Sequence, residues 1–260
     1  MINQLKFLLV PEASCVYLPD RNAANLFLQP DAPIDTALYA HLINFGFRRS
    51  GDFVYRPYCG RCRSCIPVRI PVHDFKPNRT QNRVKKMNAQ LTVEEQPMVL
   101  TDEQFDLYAR YVNSRHEGSS MAAPDLTKTE DFFTSFWCNT RFFEFRENGE
   151  LIMVAIVDQF SDSFSAVYTF FEPNLHKRSL GVYGILWEIE KCKTMGFPYL
   201  HLGFWVNHCQ KMHYKNQYRP LELLIGDQQW HRLEKNDTFS ESTLQPTRFD
   251  HTQHTIEVIT

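Results

Sequence analysis

The sequence predicts a mixed α/β protein of the α+β class, and three observations support this prediction. From position 141 the chain has the pattern of a β-meander, in which RFFEFRE, ELIMVAIVDQF and FSAVYTFFEP are joined by polar turns. A helical pattern follows in SLGVYGILWEIEKCKTMG, and FPYLHLGFW then has the character of a buried strand. The segments before position 141 alternate between short helices and short extended pieces.

The first half of the chain contains a capped helix and several extended pieces. DTALYAHLINFG begins with the capping residue Asp35 and ends at Gly46, which predicts a short helix. FRRSGDFVYRP predicts two extended pieces around the turn at Ser50 and Gly51. IPVRIPV predicts an edge or irregular strand, because its prolines cannot donate to a β-ladder.

Local signals also fix three later elements. A short helix is expected after Pro77, and TDEQFDLYARYVNSRH carries a capping box formed by Thr101 and Gln104. The pair Asn148-Gly149 lies between apolar runs, which is the strongest hairpin signal in the chain. NHCQKMHYKNQYRP and LELLIG are expected to complete the fold.

Composition limits the class of protein. Of the 260 residues, 43% are hydrophobic and 22% are charged, which is typical of a soluble globular protein. The early apolar run FLLV is too short for a signal sequence or a membrane span, so a cytoplasmic protein with no membrane partner is expected. We predict three segments: a cysteine-containing basic region over 1–95, a C-terminal domain over 96–232, and a polar, flexible tail over 233–260.

Positive charge is concentrated in one segment. Between Arg48 and Lys86 there are eleven Lys and Arg residues but only two Asp, so this segment carries nine positive charges in excess. The whole chain has a formal charge of −2, so the remainder is strongly acidic. Such asymmetry favours a polyanionic partner, most simply a nucleic acid, although a solvated basic helix without a partner is the alternative. The expected phosphate-binding residues are Arg61, Arg63, Arg79, Arg83 and Lys86.

Seven cysteines divide into two groups. The odd count and the lack of an export signal argue against a disulfide framework, and Cys138, Cys192 and Cys209 are expected to be small buried side chains. CGRCRSC instead spaces three cysteines so that their thiolates can converge on one centre. The expected ligands, with a fourth from the same third of the chain, are Cys15, Cys59, Cys62 and Cys65. Zinc, an iron–sulfur cluster and reduced thiols in a tight turn all remain open.

The order of the later elements favours one type of fold. A meander, a helix and then a strand is the order found in acyl-CoA N-acetyltransferase-like (GNAT-like) folds, in which two neighbouring strands separate and admit an acyl donor. Arg178-x-x-Gly181-x-x-Gly184 opens the helix, where the backbone N–H groups of Ser179 and Gly181 are expected to hold a phosphate. The alternative is a helix start with glycines that allow close packing.

Several blocks of the sequence resemble a known family. GFRRSGDFVYRPYCGRCRSCIPVRIPV, YARYVNSRHEGSSM, YTFFEP, SLGVYGILWEIE, YLHLGFWV and MHYKNQYRP are similar, in this order, to the arginyltransferase family of aminoacyl-tRNA–protein transferases. The three-cysteine form CGRCRSC with PVRIPV resembles the bacterial, leucine-transferring branch of that family. The resemblance runs from about Cys15 to Leu224. YTFFEP departs from it, because Glu172 stands where the family more often has Asp.

The resemblance implies an activity and its substrates. It implies an aminoacyltransferase that moves leucine from leucyl-tRNA to the α-amine of proteins that start with Asp or Glu, and so creates an N-degron for protein degradation. The transfer chemistry is expected to need no cofactor, because the donor ester is activated and the acceptor amine has an ordinary pKa of about 7.7–8.0. Positioning, a proton path and an oxyanion contact would then be enough.

Candidate site residues follow from these requirements. Arg48 or Arg49 is expected to bind the acceptor carboxylate or a tRNA phosphate. Arg115 and His116 end a helix, where either a substrate role or the helix dipole explains them. The remaining candidates belong to the transfer chemistry. Tyr168 and Glu172 are expected to share a strand face towards the acyl donor, whereas Tyr214 or Lys215 would polarise the ester carbonyl or hold the terminal ribose.

Two other functional classes fit part of the pattern. An acyl-CoA-dependent N-acetyltransferase agrees with the element order, but its glycine loop would be unusually loose. A non-enzymatic nucleic-acid-binding module with a zinc knuckle agrees with the basic cysteine segment, but it would not need the large aromatic-rich second half. Labelled leucyl-tRNA and labelled acetyl-CoA, each offered with an Asp-starting peptide, distinguish the three.

Overall fold

The computed structural model describes residues 5–115, 124–226, 229–237 and 255–258 of this mixed α/β protein. The chain forms two compact units. The first unit combines Met1–Pro71 with Leu202–Thr260, and the second is Val72–His201. These boundaries differ from the predicted division at 95 and 232, because the last part of the chain returns to the unit in which the chain begins. No described helix is long and apolar enough to cross a membrane.

The first unit begins with short strands around one helix. Its strands are β1 (Lys6–Leu9), β2 (Ala13–Ser14), β3 (Asn22–Ala23), β4 (Asn25–Leu28), β5 (Arg48–Ser50), β6 (Phe53–Pro57) and β7 (Ile66–Pro71). Helix α1 spans Thr36–Ile43, and the side chain of Asp35 accepts a hydrogen bond from the Leu38 N–H at 2.7 Å. The predicted N-cap is therefore confirmed, as are the two extended pieces on either side of Gly51.

The second unit is a sheet with helices. Its elements in chain order are α2 (Arg79–Met87), β8 (Thr92–Gln96), α3 (Asp102–Arg115), α4 (Leu126–Phe133), β9 (Thr140–Glu147), β10 (Glu150–Gln159), β11 (Ser163–Phe171), a 3₁₀ helix (Pro173–Arg178), α5 (Leu180–Thr194) and β12 (Tyr199–Trp205). Strands β8 to β11 are successive antiparallel neighbours, and β12 is parallel to β11. The chain passes into the first unit within β12.

Helices cover both faces of this sheet. On one face Gly184 of α5 lies so close to Thr169 that an added Cβ would stand 3.3 Å from the threonine methyl. On the other face Tyr108 of α3 contacts Phe170, with ring centroids 5.5 Å apart. Successive strand residues point to opposite faces, so α3 and α5 enclose β11 between them. The predicted Thr101–Gln104 capping box is confirmed by two reciprocal hydrogen bonds of 3.2 and 3.3 Å.

The last part of the chain completes the first unit. It contributes α6 (Gln210–His213), a 3₁₀ helix (Tyr214–Gln217), β13 (Leu221–Ile225), β14 (Gln229–Leu233) and β15 (Thr255–Val258). Strand β13 pairs with β7 and β14, and β15 runs parallel to β1. The prediction of a wholly flexible polar tail is therefore wrong at β15. Strand β7 is almost entirely buried, which an exposed edge strand would not be.

Candidate functional site

The four thiols predicted to bind a metal lie near one another in the first unit. None of the four thiols forms a disulfide bond, and all are partly buried: Cys15, Cys59, Cys62 and Cys65. Burial, together with the thiolates of Cys59, Cys62 and Cys15, raises the pKa of Cys65 to about 12, and Cys209 adds to this effect. Electrostatic coupling of this kind requires proximity, so the structure brings the four thiols into one region and adds a fifth that the sequence did not single out.

A cavity of about 600 Å³ opens beside two of the thiols. It is lined by Glu12, Arg21, Asn22, Cys59, Gly60, Arg61 and Cys62. Nη1 of Arg21 donates to the Cys62 sulfur at 3.4 Å. Burial alone would raise the pKa of Cys62, but hydrogen bonding to Ser64 and Arg21 lowers it below its ordinary value. Cys62 is therefore the thiol in this cavity most readily converted to a thiolate ligand.

The two interleaved arginines of the cysteine loop differ in environment. Arg61 is exposed at the cavity, where it is accessible to a phosphate. Arg63 donates to the backbone carbonyls of Cys59 and Cys62. A guanidinium that bridges two carbonyls stabilises the loop between them. Arg63 therefore has a structural role in addition to the phosphate binding predicted for it.

The chemistry of these thiols suits them as ligands of a soft metal ion. Within residues 5–115, 124–226 and 229–237, no three Cys, His, Asp or Glu side chains stand in a metal-binding arrangement. Four thiols within electrostatic range of one another are nevertheless the donor set of structural zinc and of iron–sulfur clusters. Binding would have to draw these sulfurs closer together.

Two buried cations from distant parts of the chain meet in the first unit. Arg48 is 9% exposed on β5, and Lys215 is 6% exposed in the 3₁₀ helix Tyr214–Gln217. The Arg48 guanidinium lies against Gly203, where an added Cβ would stand 3.4 Å from Nε. Lys215 donates through Nζ to the Phe204 carbonyl at 2.7 Å. Glycine at 203 thus leaves room for the guanidinium beside β12.

The pKa of Lys215 reflects this environment. Burial first, and the charge of Arg48 second, lower it to about 7. Within the described chain Lys215 forms no ion pair with a carboxylate. A buried ammonium with a second cation close enough to lower its pKa would be stabilised by a carboxylate, so the surroundings of Lys215 are electrostatically suited to bind one.

The neighbours of this pair have other tasks. Arg49 is 7% exposed, points to the opposite face of β5, and donates to the Gly51 carbonyl at 3.3 Å. Tyr214 is 39% exposed, and its ring centroid lies 5.8 Å from the Lys215 ammonium. The structure therefore separates the two adjacent arginines, and it places Arg48 rather than Arg49 beside Lys215.

The basic helix predicted after Pro77 is α2 in the second unit. Its N-cap is Asn78, which forms a capping box with Gln81. Arg79, Arg83 and Lys86 are exposed along it, as the predicted phosphate-binding face requires. The basic segment from Arg61 to Lys86 is thus divided between the two units.

A buried asparagine connects α2 to the start of α5. Asn88 is fully buried, and its side-chain NH₂ donates to the carbonyls of Val84 and Arg178 at 2.9 and 3.0 Å. In return Arg178 donates from Nε to the Asn88 side-chain oxygen at 2.9 Å, and from Nη1 to Glu147 at 2.8 Å. These bonds fix the residue that precedes Ser179 to the C-terminal end of the basic helix.

The start of α5 has the expected small residues. Ser179 is left-handed, with φ 53° and ψ 47°, and its side chain does not cap the helix. Gly181 lets the first turn approach Phe171 so closely that a Cβ would stand 3.2 Å from that ring. Gly181 therefore has a packing reason. The Ser179 N–H donates to the His176 carbonyl at 3.3 Å, so the predicted anion contact at Ser179 is wrong, whereas the N–H groups of the first turn of α5 remain a suitable anion contact.

Tyr168 lies in an aromatic cluster on the α3 face of the sheet. It is half-buried, and its ring centroid lies 5.3–6.4 Å from those of Tyr108, Tyr111, Phe132 and Phe133. Burial, with smaller contributions from Tyr111 and Tyr108, raises the pKa of Tyr168 above its ordinary value. Tyr168 can therefore donate a hydrogen bond at neutral pH but does not act as a base.

The remaining predicted residues of this unit lie nearby. Glu172 follows the end of β11. Its side chain accepts a hydrogen bond from the Asn174 N–H, which caps the 3₁₀ helix, and it forms an ion pair with Arg110 at 3.2 Å. It therefore does not extend the strand face of Tyr168. Arg115 is exposed, with its guanidinium 5.4 Å from the Phe171 ring centre. His116 lies outside the described residues.

Sequence reasoning missed three residues of these clusters. Arg21 contacts Cys62, Asn88 contacts Arg178, and Glu188 is buried on α5, but none of the three belongs to a motif of its own. Glu188 left a detectable signal, because it is an acid on the buried face of a helix otherwise formed by apolar and small residues. Arg21 and Asn88 left none, because their partners are distant in sequence.

Comparison with known families accounts for most of the chain. Residues 13–83 match the family model described as "Arginine-tRNA-protein transferase, N terminus". Residues 103–225 match the model described as "Arginine-tRNA-protein transferase, C terminus". The two matches come in the same order as the blocks noted in the sequence.

Curated relatives cover almost the same span. "Aspartate/glutamate leucyltransferase" of Alcanivorax borkumensis is 47% identical over 237 residues, which are 91% of this chain and 98% of the relative. The proteins of that name from Pseudomonas fluorescens and Teredinibacter turnerae are each 46% identical, over 87% of this chain and 96% and 93% of their own lengths.

Solved structures are more distant. FemX covers 70% of this chain and 63% of its own, at 8% identity and a TM-score of 0.43. The C-terminal domain of a putative lysylphosphatidylglycerol synthetase from Agrobacterium fabrum covers 66% and 53%, at 12% identity and a TM-score of 0.43. Scores this low carry no argument about the site. The sequence relatives and the two ordered family models decide the assignment, and the chain belongs to the arginine-tRNA-protein transferase family.

Proposed function

We propose that this protein transfers leucine from leucyl-tRNA to the N-terminal α-amine of proteins that start with Asp or Glu, creating an N-degron that marks them for degradation. The observation that carries the proposal is the similarity to three aspartate/glutamate leucyltransferases over nearly their whole lengths. The buried cations Arg48 and Lys215, which suit an acidic side chain, and the exposed basic helix α2, which suits tRNA, support the proposal. A cytoplasmic location follows from these substrates.

The acceptor would bind at Arg48 and Lys215. An incoming Asp or Glu carboxylate would offset the positive charge in this region and accept a second hydrogen bond from the Lys215 ammonium, which already donates to the Phe204 carbonyl. A neutral N-terminal residue gives neither benefit. This arrangement would give a physical reason for acidic acceptors, and the predicted acceptor role would then belong to Arg48 rather than to Arg49.

The donor would bind through the second unit. Arg79, Arg83 and Lys86 would contact tRNA phosphates, with Arg61 and Arg63 as further contacts from the cysteine loop. The Gly181 N–H would hold a phosphate near the 3′ end, while Asn88 and Arg178 keep that loop fixed to α2. Arg115 and the aromatic cluster around Tyr168 offer stacking surfaces for the terminal bases.

A GNAT-like arrangement of β11 and β12 supports the same assignment. The ladder between these parallel strands contains three pairs, from Ser163 with Tyr199 to Ser165 with His201. Strand β11 continues for six more residues, to Phe171. GNAT-like folds admit the acyl donor where two neighbouring strands stop pairing in this way. Tyr168 lies on β11 after Ser165, the last residue that pairs with β12.

The chemistry requires little beyond positioning. The neutral α-amine of the acceptor attacks the ester carbonyl carbon, a C–N bond forms, and the C–O bond to the ribose breaks. The amine loses a proton and the ribose oxygen gains one, so no co-reactant is needed. Within the first unit, Lys215, with its pKa of about 7, can hold the acceptor and exchange a proton at neutral pH.

The thiol centre would have a structural role. A soft metal ion or cluster on Cys15, Cys59, Cys62 and Cys65 would fix the loop that carries Arg61 and Arg63. With four protein ligands the coordination shell is closed, so the centre would take no part in the transfer itself.

A donor-exchange assay tests the proposed function. The protein is incubated with labelled leucyl-tRNA, arginyl-tRNA or acetyl-CoA, and with peptides that begin with Asp, Glu or Ala. We expect transfer from leucyl-tRNA to the Asp and Glu peptides only. Acetyl transfer would support the N-acetyltransferase alternative, and equal transfer to the Ala peptide would contradict the acidic pocket.

Salt dependence tests the tRNA surface. We expect replacement of Arg79, Arg83 and Lys86 by Ala to weaken tRNA binding and to flatten the slope of log K against log salt by about 0.7 to 0.9 for each phosphate that the variant no longer neutralises. The fold should persist, because all three side chains are exposed. Replacement of exposed Lys177, Lys211 and Lys235 by Ala serves as a charge-matched control. An unchanged slope in the α2 variant places the tRNA surface elsewhere.

Metal analysis tests the thiol centre. Protein purified without oxygen should contain zinc, or iron with acid-labile sulfide, in stoichiometric amount. Cys62→Ser should release the metal, whereas Cys138→Ser should keep it because Cys138 lies outside the cluster. Metal-free protein in which all four thiols react freely while activity is full would remove the centre from the proposal.

A further inference from the structure

One buried acid has no task in the site described so far. Glu188 of α5 is fully buried, and neither carboxyl oxygen has a hydrogen-bond partner in the part of the chain that the structure describes. Burial raises its pKa to about 8, so the side chain is a neutral carboxylic acid at pH 7. Buried polar groups in native proteins are almost always satisfied, so an orphaned acid indicates a partner that arrives with a ligand.

The neighbours of Glu188 on α5 fix its position. One turn later the Cys192 sulfur lies 3.8 Å from the Tyr199 carbonyl. One turn earlier Gly184 packs against Thr169. Residues four apart lie on the same helix face, so Glu188 faces β11 between these two levels.

Strand β11 is irregular at that level. Its pairing with β12 ends at Ser165 and His201, and its register with β10 shifts between Ala166 and Tyr168. The Ser165 hydroxyl is also buried and has no hydrogen-bond partner among the described residues. Bulges are frequent beside active sites, where they redirect side chains and end pairing. Two orphaned polar groups therefore flank the point at which β11 loses its neighbour.

No charged group of the surrounding elements, as far as the structure describes them, satisfies Glu188. On β11 the titratable residue is Tyr168, which faces α3. On α2 Lys85 forms an ion pair with Glu190 at 3.6 Å. On β10 the buried Asp158 accepts a hydrogen bond from the Thr140 hydroxyl, and on β12 the buried His201 has interactions of its own. On α5 itself the pKa of Cys192 is raised, by burial first and by Glu188 second. The two side chains are therefore close together, but Cys192 does not stabilise a charge on Glu188.

We propose that Glu188 is a further catalytic residue, whose protonated carboxyl group donates a hydrogen bond to the ester carbonyl oxygen of the aminoacyl donor. This inference rests on the proposed function. As the amine attacks, negative charge develops on that oxygen, and a neutral acid in an apolar site stabilises it without reorganisation. Glu188 keeps its own proton throughout, while the proton lost by the amine leaves on the ribose oxygen.

A pair of substitutions tests the role of Glu188. Glu188→Met removes an unsatisfied acid, so we expect it to raise the melting temperature and yet to lower the single-turnover transfer rate about hundredfold. KM for the acceptor peptide and Kd for tRNA should not change. Glu188→Gln keeps a neutral donor of the same shape and should retain most of the rate. It should also lose the decline that the wild-type protein shows as pH rises through about 8.

A control variant and two possible contrary results separate the role of Glu188 from the proposed function. Glu190→Met, on the same helix but half-exposed, should leave the rate unchanged. A stable Glu188→Met protein with the wild-type rate overturns the catalytic role while the proposed function stands. If the wild-type protein transfers no leucine from leucyl-tRNA, the proposed function itself fails.

Discussion

Replacement of Lys215 or Arg48 by Met is expected to abolish the preference for acidic acceptors. Each cation would make a charged hydrogen bond to the Asp or Glu carboxylate, an interaction worth about 1.5–3 kcal/mol, or roughly ten- to a hundredfold in kcat/KM. The measurement is the transfer rate with peptides that begin with Asp, Glu or Ala. The ratio of acidic to neutral acceptors should collapse in both variants, while tRNA affinity stays the same.

Protein stability separates this effect from damage to the fold. Lys215→Met removes a buried charge whose pKa is depressed to about 7, so the variant should be at least as stable as the wild-type protein. Lys211→Met makes the same change at an exposed position of α6 and is the matched control. Wild-type kinetics with Asp and Glu peptides in both pocket variants would exclude this pair as the acceptor site.

Glu188→Gln is expected to change how stability depends on pH. In the folded protein the pKa of Glu188 is raised from 4.5 to about 8. The folded state therefore holds a proton that the unfolded chain releases, and stability decreases as pH rises between these values. At about 1.36 kcal/mol per pKa unit, the loss approaches an upper limit of about 5 kcal/mol above pH 8. Gln has no such proton, so its advantage over Glu should grow from near zero at pH 5 to that size.

Chemical denaturation at pH 5, 7 and 8.5 measures this difference. Glu190→Gln is the control, because Glu190 is half-exposed and lies on the same helix. Its unfolding free energy should run parallel to that of the wild-type protein. If the Glu188→Gln curve is parallel as well, Glu188 is ionised in the folded protein and has a partner of opposite charge.

Locally encoded parts of the fold were predictable from the sequence. The Asp35 cap, the Thr101–Gln104 capping box and the Asn148-Gly149 hairpin each depend on residues within a few positions of one another. The short strands β1, β4 and β15 depend on pairing between distant segments, and their local patterns are weak. The division into units escaped prediction for the same reason, because β13 and β15 find their partners near the start of the chain.

The candidate site shows the same limit. Arg48 was identifiable because two arginines stand before a turn, but its distinction from Arg49 depends on Lys215 and Gly203 from the other end of the chain. The exposed face of α2 follows from helical spacing and was predicted correctly. The position of Glu188 on an apolar helix face was visible in the sequence, but its lack of a hydrogen-bond partner among the described residues required the three-dimensional structure.

The split of the first unit has a consequence for biosynthesis. Val72–His201 is one continuous stretch, so a nascent chain leaving the ribosome can complete the second unit as soon as that stretch has emerged. The first unit must wait for the segment after Leu202, which brings Lys215 to Arg48 and β13 to β7. The proposed acceptor residues therefore come together only after the second unit can fold, and a chain truncated before Lys215 would carry the basic helix α2 without the proposed means to select a substrate.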